Sequence, residues 1–260
     1  MCLKVEQTGR IRTLTMNRPE QMNVFDEEMC IALRDALRAA EQDPGVAVVA
    51  LTGAGRAFSA GADLAYFFEL GARIAAEQSV FGEMLDGFAA FRKPLLAAVN
   101  GIGVGIGMTM LAYCDLVLMA SDARLRTPFG QLGLAPEAGS SEMFPFVMGW
   151  NHAAYALLTG NWISAQEAKE AGLVWRVCPR EQLLPETMAL AEQIARQPID
   201  SLMTTKELML VATGRAQSAR AAHQREMREY RRMIGSPVNR EAIAAFLEKR
   251  KPEFTGLSGF

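Results

Sequence analysis

Hydrophobic and polar positions along the chain follow two different periods, which predict strands in some segments and helices in others. Two alternating runs, CLKVEQ and RIRTLTMN, flank a Thr-Gly pair at residues 8–9 and predict a hairpin. Residues 26–42 begin with three acidic residues and then place apolar side chains at helical spacing. The apolar positions of this predicted helix are Met29, Leu33, Ala36, Leu37 and Ala40.

Continuous apolar runs without alternation predict strands that are buried on both faces. These runs are residues 46–53, 95–99 and 115–120. Helices are predicted between them, from about residue 63 and over residues 78–91. Because strands and helices alternate along the chain, we expect right-handed crossovers and a parallel sheet with helices outside it. The sequence therefore predicts an α/β fold.

From about residue 138 onwards the pattern is helical throughout. The predicted helices are 138–148, 151–159, 164–171, 181–196, 200–213, 217–233 and 238–249. The helices after residue 200 are amphipathic, and their apolar residues need cover. We therefore expect an α/β core over residues 1–200 and a C-terminal helical region over residues 201–260 that serves oligomerisation.

Charge and hydropathy limit the classes of partner. The 260 residues carry a net charge of −2, and half of them are hydrophobic. The most basic run, REMREYRR at residues 225–232, is interleaved with glutamate and is typical of a solvated helix face. No uninterrupted apolar run reaches the ~18 residues that a membrane span needs. We expect neither nucleic acid nor a membrane as a partner.

Cysteine and histidine usage bears on metals and on the cellular compartment. The four cysteines and two histidines are scattered, without the spacing of a metal site, so no bound metal is expected. Scattered thiols suit a reducing compartment. The chain begins MCLKVEQTG, without an apolar signal region, and ends LSGF, which is not a peroxisomal S-K-L signal. These features predict a cytoplasmic protein.

The stretch AFSAGADL at residues 57–64 is the first candidate for binding chemistry. It follows a predicted buried strand and leads into a predicted helix, and its small residues let a ligand approach the backbone. Gly61 can adopt a positive φ, and Asp63 can cap the helix. Unpaired N–H groups at such a junction point toward an anion. An ordinary tight strand–helix turn is the alternative interpretation.

The stretch NGIGVGIGMT at residues 100–109 has glycines at every second position from 101 to 107. This spacing fits neither the GxGxxG dinucleotide fingerprint nor the Walker motif. The N–H of Ile106, between two glycines, is sterically accessible, although some of these glycines could serve helix–sheet packing instead. Because both loops follow parallel strands, they lie at the same edge of the sheet. Their amides can converge on one oxygen atom as an oxyanion hole.

With these two loops, the sequence resembles the crotonase (enoyl-CoA hydratase/isomerase) superfamily over essentially its whole length. The resemblance implies a ββα spiral core with a parallel sheet and a C-terminal helical arm. It also implies an acyl-CoA thioester as substrate, with coenzyme A as part of the substrate and no other cofactor. The N–H groups of Ala62 and Ile106 are the implied oxyanion donors.

The same resemblance implies further contacts and an assembly. Residues that line the coenzyme A end of the site are Ala60, Gly61, Ala62, Asp63 and Leu64. Arg56 and Lys206 are candidate partners for the coenzyme A phosphates. Family members form trimers, so a homotrimer or a dimer of trimers is expected, and Phe254 could reach the adenine of an adjacent subunit.

Both carboxylates of the family's hydratases are missing. By the resemblance, one corresponds to Thr109 and the other to Phe129, and neither can position water or protonate carbon. We expect Thr109 to pack or to bond back to a helix carbonyl. Hydration is therefore expected to be slow.

Glu137 fills this gap. The stretch TPFGQLGLAPEAGSSEM, residues 127–143, resembles the peroxisomal-type Δ3,Δ2-enoyl-CoA isomerases, in which the glutamate after the second proline is the catalytic base. One carboxylate can remove a proton from C2 and return it to C4 while the oxyanion donors hold the enolate. Apolar neighbours are expected to raise the pKa of Glu137. The structural alternative is an acid that stabilises a helix N-terminus.

Three functions follow for comparison. The first is an enoyl-CoA isomerase that shifts a C=C bond from Δ3 to Δ2 by means of Glu137. The second is a hydratase-like relative acting on another acyl-CoA. The third is a non-catalytic acyl-CoA-binding homologue, against which the presence of Glu137 argues.

Overall fold

The computed structural model describes residues 1–63 and 79–257. Two sheets organise these residues. The strands are β1 Leu3–Thr8, β2 Ile11–Met16, β3 Val48–Gly53, β4 Ala57–Ser59, β5 Leu95–Val99, β6 Ile102–Val104, β7 Leu116–Ala120, β8 Arg124–Arg126, β9 Ile163–Ser164 and β10 Arg176–Cys178. The helices are α1 Glu27–Gln42, α2 Val80–Ala90, α3 Ile106–Thr109, α4 Ser140–Ala154, α5 Ala165–Glu170, α6 Arg180–Ala195, α7 Ile199–Thr213, α8 Arg215–Met233 and α9 Pro237–Leu247.

The larger sheet has the order β1-β2-β3-β5-β7-β10. β1 and β2 form the predicted antiparallel hairpin, with Thr8 opposite Ile11, and the remaining neighbours pair in parallel. Every residue of β3 and β5 is buried, as expected for strands covered on both faces. The predicted α/β class with a parallel sheet is therefore confirmed.

Helix α1 begins as its sequence predicts. The Asp26 carboxylate accepts a hydrogen bond from the Met29 N–H at 3.0 Å and caps the helix. The apolar face is buried against the larger sheet and α2, at Met29, Cys30, Leu33, Leu37 and Ala40. This burial fixes the position of the segment that follows β2, next to the first glycine-containing loop.

A smaller sheet, with the order β4-β6-β8-β9, was not predicted. β4, β6 and β8 pair in parallel, and β9 closes the sheet in the antiparallel direction. The prediction that the chain is purely helical after residue 138 is wrong, because β9 and β10 interrupt the helices. These strands have only two or three residues, too few to show a period, and they form where the chain meets an existing strand.

Helices α7 and α8, from the predicted C-terminal region, pack back against the rest of the chain. Lys206 on α7 donates to the Asp115 carboxylate at 2.7 Å, and Arg220 on α8 pairs with Asp86 on α2 at 2.9 Å. The division into residues 1–200 and 201–260 stays a prediction. Across the described residues, no helix combines the length and apolar character needed to cross a bilayer.

Candidate active site

The first glycine-containing loop is held in an extended form beside residue 25. The Phe25 N–H donates to the Gly61 carbonyl, and the Asp63 N–H donates to the Phe25 carbonyl, both at 2.8 Å. In this parallel bridge between Phe25 and Ala62, the N–H of Ala62 points away from residue 25. Among the described residues, that N–H has no hydrogen-bond acceptor.

Buried polar side chains of the preceding segment support this loop. The Asn23 amide donates to the carbonyls of Ala54 and Ala57, each at 2.9 Å, and Asn23 is fully buried. The Ser59 hydroxyl donates to the Asn23 carbonyl at 2.8 Å and accepts from the Gly61 N–H at 3.1 Å. The loop is thus fixed by specific bonds on the side opposite the Ala62 N–H.

The second glycine-containing loop follows β6 and begins helix α3. Part of the predicted loop is strand, since residues 102–104 pair with β4 and β8. The Gly105 N–H donates to the Arg126 carbonyl at 2.9 Å. Ile106 is the first residue of α3, where an N–H has no partner within the helix. No acceptor for it occurs elsewhere in the described ranges.

The two loops touch through their backbones. A Cβ at Gly61, which has a φ of +99°, would lie 2.8 Å from the Val104 carbonyl oxygen. A Cβ at Gly107 would lie 2.6 Å from the Ser59 carbonyl oxygen. Both contacts leave room only for hydrogen, so glycine is required for this approach. The residues that carry the two candidate amides therefore belong to adjacent loops.

The remaining residues predicted to contact coenzyme A lie in different surroundings. Leu64 and the helix predicted from about residue 63 lie outside the described residues. Ala60 and Asp63 are half-buried, and Arg56 is exposed with its guanidinium 3.7 Å from the Met22 sulfur. These contacts stay predictions.

The suggestion that Lys206 contacts coenzyme A phosphates is wrong. Its ammonium is buried and donates to the Lys93 carbonyl at 2.9 Å and to the Asp115 carboxylate at 2.7 Å. Burial lowers the pKa of Lys206, opposed by Asp115. A side chain committed in this way to the protein interior has a structural role.

Glu137 is a buried carboxyl group with one bonded and one unbonded oxygen. The Thr109 hydroxyl donates to Oε1 at 3.1 Å, while Oε2 has no partner in the described part of the chain. Burial, followed by the nearby Glu226, raises the pKa of Glu137 from 4.5 to about 8, and the Thr109 bond opposes the rise. The expected rise is confirmed. Thr109 packs in the interior, as one of the two expectations for it stated, but its hydroxyl bonds to this carboxylate and not to a helix carbonyl.

A strained turn at residues 138–139 follows Glu137 and fixes its position. Ala138 has a φ of +59°, which costs a non-glycine residue on the order of 1 kcal/mol, and Gly139 has a φ of +71°. The Tyr113 hydroxyl donates to the Ala138 carbonyl at 2.5 Å, and the Ser140 hydroxyl donates to the Glu137 carbonyl at 2.7 Å. A Cβ at residue 139 would lie 2.7 Å from the Tyr113 oxygen, so only glycine fits.

A different acid accepts the backbone N–H groups at the N-terminus of α4. Glu226 of α8 accepts the Gly139 N–H at 2.6 Å and the Ser141 N–H at 2.7 Å. The alternative role considered for Glu137, as the acid at this helix start, is therefore taken by Glu226. Its carboxyl is buried, although the run that contains it was interpreted as solvated. Helical spacing from Ala222 through Glu226 to Tyr230, all buried, is the signal that could have revealed it.

The sequence profile of the family described as "Enoyl-CoA hydratase/isomerase" matches residues 6–257. The chain belongs to the enoyl-CoA hydratase/isomerase family. A crystal structure of an enoyl-CoA hydratase/isomerase from Pseudoalteromonas atlantica T6c superimposes with a TM-score of 0.90 at 35% identity, covering 98% of this chain and 100% of that one. This match confirms the crotonase-like fold.

Relatives within the enoyl-CoA hydratase/isomerase family bear both kinds of name. A 1,2-epoxyphenylacetyl-CoA isomerase of Escherichia coli K12 is 35% identical, with 95% of each chain covered. A 2,3-dehydroadipyl-CoA hydratase of the same organism is 34% identical, with 98% of each chain covered. The family assignment therefore makes this chain an acyl-CoA enzyme, and the choice between isomerisation and hydration depends on its own site.

Proposed function

We propose that this protein is an enoyl-CoA isomerase that shifts a C=C bond from Δ3 to Δ2. The observation that carries the proposal is the state of Glu137, a buried carboxyl whose pKa is raised to about 8 and whose Oε2 has no hydrogen-bond partner among the described residues. An unbonded oxygen of high basicity is what proton removal from carbon requires. Amides of the two contacting loops supply the complementary part of the site.

The proton transfers balance on this one carboxyl group. Ionised Glu137 takes a proton from C2, so the C2–H bond breaks and an O–H bond forms. The electron pair delocalises over the dienolate, whose negative charge rests on the thioester oxygen between the Ala62 and Ile106 N–H groups. Glu137 then returns the proton to C4, so the O–H bond breaks, a C4–H bond forms and the double bond lies at Δ2. Loss of one oxyanion donor typically raises such a barrier by about 3 kcal/mol.

The residues at positions 109 and 129 support isomerisation over hydration. By resemblance to the family's hydratases, the position of Thr109 is one at which they carry a carboxylate, and Phe129 occupies the position of the other. Here the Thr109 hydroxyl is buried, has no acid or base of its own, and donates to Glu137. Phe129 is also buried and has no acid or base. Two groups that share water activation and carbon protonation are therefore not present at these positions.

A second candidate function is isomerisation of an epoxide thioester. The E. coli relative named 1,2-epoxyphenylacetyl-CoA isomerase matches 95% of this chain. The same base and the same oxyanion donors would serve a thioester that carries a three-membered ring. An acyl-CoA enzyme of hydratase type and a non-catalytic acyl-CoA-binding protein are the remaining outcomes of the test.

The test uses 3-hexenoyl-CoA and follows the conjugated 2-enoyl thioester by absorbance. We expect turnover by the native protein, loss of at least about a thousandfold in Glu137→Gln, and nearly unchanged thioester binding by that variant. Glu142→Gln is the matched control, since the Glu142 side chain on α4 is 38% exposed and pairs with Arg225 at 2.5 Å. Native-like turnover by Glu137→Gln contradicts the proposal. Fast hydration of 2-butenoyl-CoA would favour the hydratase-type alternative.

Assembly and location are part of the same proposal. A homotrimer or a dimer of trimers, with Phe254 reaching the adenine of an adjacent subunit, fits the exposed apolar side chains on the described surface. These include Trp150, Leu158, Leu208 and Val211. Cytoplasmic localisation and the Arg56 contact to coenzyme A phosphates also remain proposals.

A further inference from the structure

A second buried carboxylate lies beside the Glu137 turn. Glu226 is 5% exposed, and each of its oxygens accepts one backbone N–H, from Gly139 at 2.6 Å and from Ser141 at 2.7 Å. These donors lie two and four residues after Glu137. Because residue 139 must be glycine, it has no side chain to cap α4, and the acid comes from α8 instead.

The position of Glu137 depends on this contact. The Ala138–Gly139 turn is strained, so it persists only where surrounding contacts hold it. Tyr113 and Ser140 hold the carbonyl groups of the turn, and Glu226 holds N–H groups at and just beyond it. Glu226 is therefore a hydrogen-bonding contact between the C-terminal helix α8 and the turn that carries the candidate acid/base.

The two carboxyl groups occupy opposite environments. Both oxygens of Glu226 accept N–H donors at a helix N-terminus, which favours the ionised form. Glu137 has one hydroxyl donor and one unbonded oxygen, which favours the protonated form. Burial raises the pKa of Glu226 as well, and its two N–H donors oppose that rise. Because Glu137 has only one hydroxyl donor, we assign the negative charge to Glu226 and the transferable proton to Glu137.

We propose that Glu226 is the positioning residue for Glu137: it fixes the turn at residues 138–139, and its fixed negative charge makes the neighbouring carboxylate a stronger base. This inference rests on the proposed function, in which Glu137 removes a proton from carbon. Glu226 itself does not touch the substrate in this role. Its effect is therefore expected in kcat rather than in KM.

The other ionisable groups around the pair are either shifted away from neutral pH by burial or held in ion pairs and hydrogen bonds. Burial raises the pKa values of Cys30, Tyr113 and Tyr230 far above neutrality, and burial lowers the pKa of His223 to about 4. Asp86 pairs with Arg220, and Arg225 pairs with Glu142. Arg215 donates to the Ala112 carbonyl. Between pH 5 and pH 9, we therefore assign titration in this cluster to Glu137, while the two N–H donors of Glu226 hold its carboxylate ionised.

The test measures the protonation of Glu137 without turnover. Difference infrared spectra between the native protein and Glu137→Gln isolate the carboxyl band of residue 137 as a function of pH. We expect Glu226→Gln, measured against Glu226→Gln/Glu137→Gln, to lower the pKa of Glu137 by on the order of one unit. The control is Glu229→Gln, which removes an exposed acid one turn along α8 and should leave the band unchanged.

Glu226→Asp separates charge from position. It keeps the negative charge and shortens the side chain, so the pKa of Glu137 should stay near its native value while kcat falls at least about tenfold. Glu226→Gln should lower kcat and move the kcat pH profile toward acid, with KM nearly constant. If Glu226→Gln fails to fold, Glu226→Asp still tests whether Glu226 positions Glu137.

Two results overturn the inference. One is an infrared titration of residue 137 that is unchanged, within about 0.2 pH units, in folded Glu226→Gln. The other is native kcat in Glu226→Asp. If no protein turns over 3-hexenoyl-CoA but the infrared titration shifts as expected, the coupling of the two carboxyl groups stands and the proposed reaction fails. If the native protein turns over 3-hexenoyl-CoA but the infrared titration is unshifted, the proposed reaction stands and the coupling of the two carboxyl groups fails.

Discussion

At the scale of single residues, the candidate site depends on how one carboxyl group is surrounded. Glu137 lies in the interior with a single hydroxyl donor, Thr109, and near a second acid, Glu226. Desolvation and like charge both disfavour its ionised form, and the Thr109 bond favours it. The balance leaves the carboxyl able to take up and release a proton near neutral pH, which is the property that a shuttle between two carbon atoms needs.

The raised pKa of Glu137 predicts a pH-dependent stability. Its pKa is about 8 in the folded protein against an ordinary value of 4.5, so its favourable protonated state is fully present below pH 4.5 and is lost as the pH rises through 8. We expect Glu137→Gln to be more stable than the native protein at pH 9 by on the order of a few kcal/mol, and much less so at pH 5. Urea unfolding of both proteins at the two pH values measures this difference.

The difference in unfolding free energy between the native protein and Glu137→Gln includes the electrostatic interaction of Glu137 with Glu226. Glu142→Gln serves as the control, because its half-buried carboxylate pairs with Arg225 and its replacement should leave the pH dependence native. If Glu137→Gln and the native protein lose stability in parallel between pH 5 and pH 9, Glu137 does not titrate as described.

Thr109 gives a second prediction at this scale. Thr109→Val keeps the shape of the side chain and removes the hydroxyl that donates to Glu137, so the pKa of Glu137 should rise further. We expect the pH profile of kcat/KM to move toward alkaline pH and kcat to fall roughly five- to tenfold, which corresponds to about one hydrogen bond. Thr109→Ser retains the hydroxyl and should remain close to native. A profile that moves toward acid in Thr109→Val contradicts this assignment.

At the scale of elements, the sequence predicts the long elements well and the short ones poorly. β3, β5 and α1 have enough residues to show a continuous apolar run or a helical period, and the structure contains them close to their expected bounds. The strands β4, β6, β8 and β9 have two or three residues each, and they exist only because they pair with one another. Their positions follow from tertiary contacts that no local pattern encodes.

The candidate site shows the same division. Glycine spacing predicted the two loops, and the family resemblance around two prolines predicted Glu137 as the acid/base, a role that stays a prediction. The bond from Thr109 to Glu137 joins residues 28 positions apart, and the bond from Glu226 to Gly139 spans 87 positions. Side-chain partners at such separations are set by packing of whole helices, so they could not be predicted from the sequence alone.

The contact between the two loops predicts the effect of adding one methyl group. In Gly107→Ala, the new Cβ would lie 2.6 Å from the Ser59 carbonyl oxygen, which belongs to backbone and cannot rotate away. The loops must then separate, so we expect a loss of about 1–3 kcal/mol in unfolding free energy and a larger proportional loss of kcat. Chemical denaturation and turnover of 3-hexenoyl-CoA measure the two effects.

Gly87→Ala is the matched control for this substitution. Gly87 lies within α2, and nothing is within 4 Å of its Cβ position, so the added methyl group should stabilise the helix by about 0.5–1 kcal/mol. Its kcat should stay native. Equal behaviour of the two alanine variants would show that the loops do not depend on the close approach at residue 107.

At the scale of the whole molecule, the C-terminal helices are connected to the core by polar contacts as well as by apolar packing. Lys206 of α7 reaches the Lys93 carbonyl and the Asp115 carboxylate, and the same carboxylate accepts the Leu95 N–H at 2.7 Å. Asp115 therefore satisfies the backbone donor at the start of β5 while it pairs with Lys206. Glu226 makes the corresponding connection from α8 to the start of α4. Both connections link late segments of the chain to the elements that carry the site.

The Lys206–Asp115 pair predicts an asymmetric loss of stability. The Lys206 side chain is 10% exposed and that of Asp115 is 26% exposed, so the two charges differ in their access to water. Asp115→Asn leaves a buried ammonium without its counter-charge and should cost about 2–4 kcal/mol of unfolding free energy. Lys206→Met leaves an aspartate that water can reach and fills the space with apolar atoms, so its cost should be smaller, about 1–2 kcal/mol. Urea unfolding of the single and double variants measures these costs and their coupling. A larger loss in Lys206→Met than in Asp115→Asn would contradict the prediction, because it would mean that water, and not the aspartate, compensates the buried lysine.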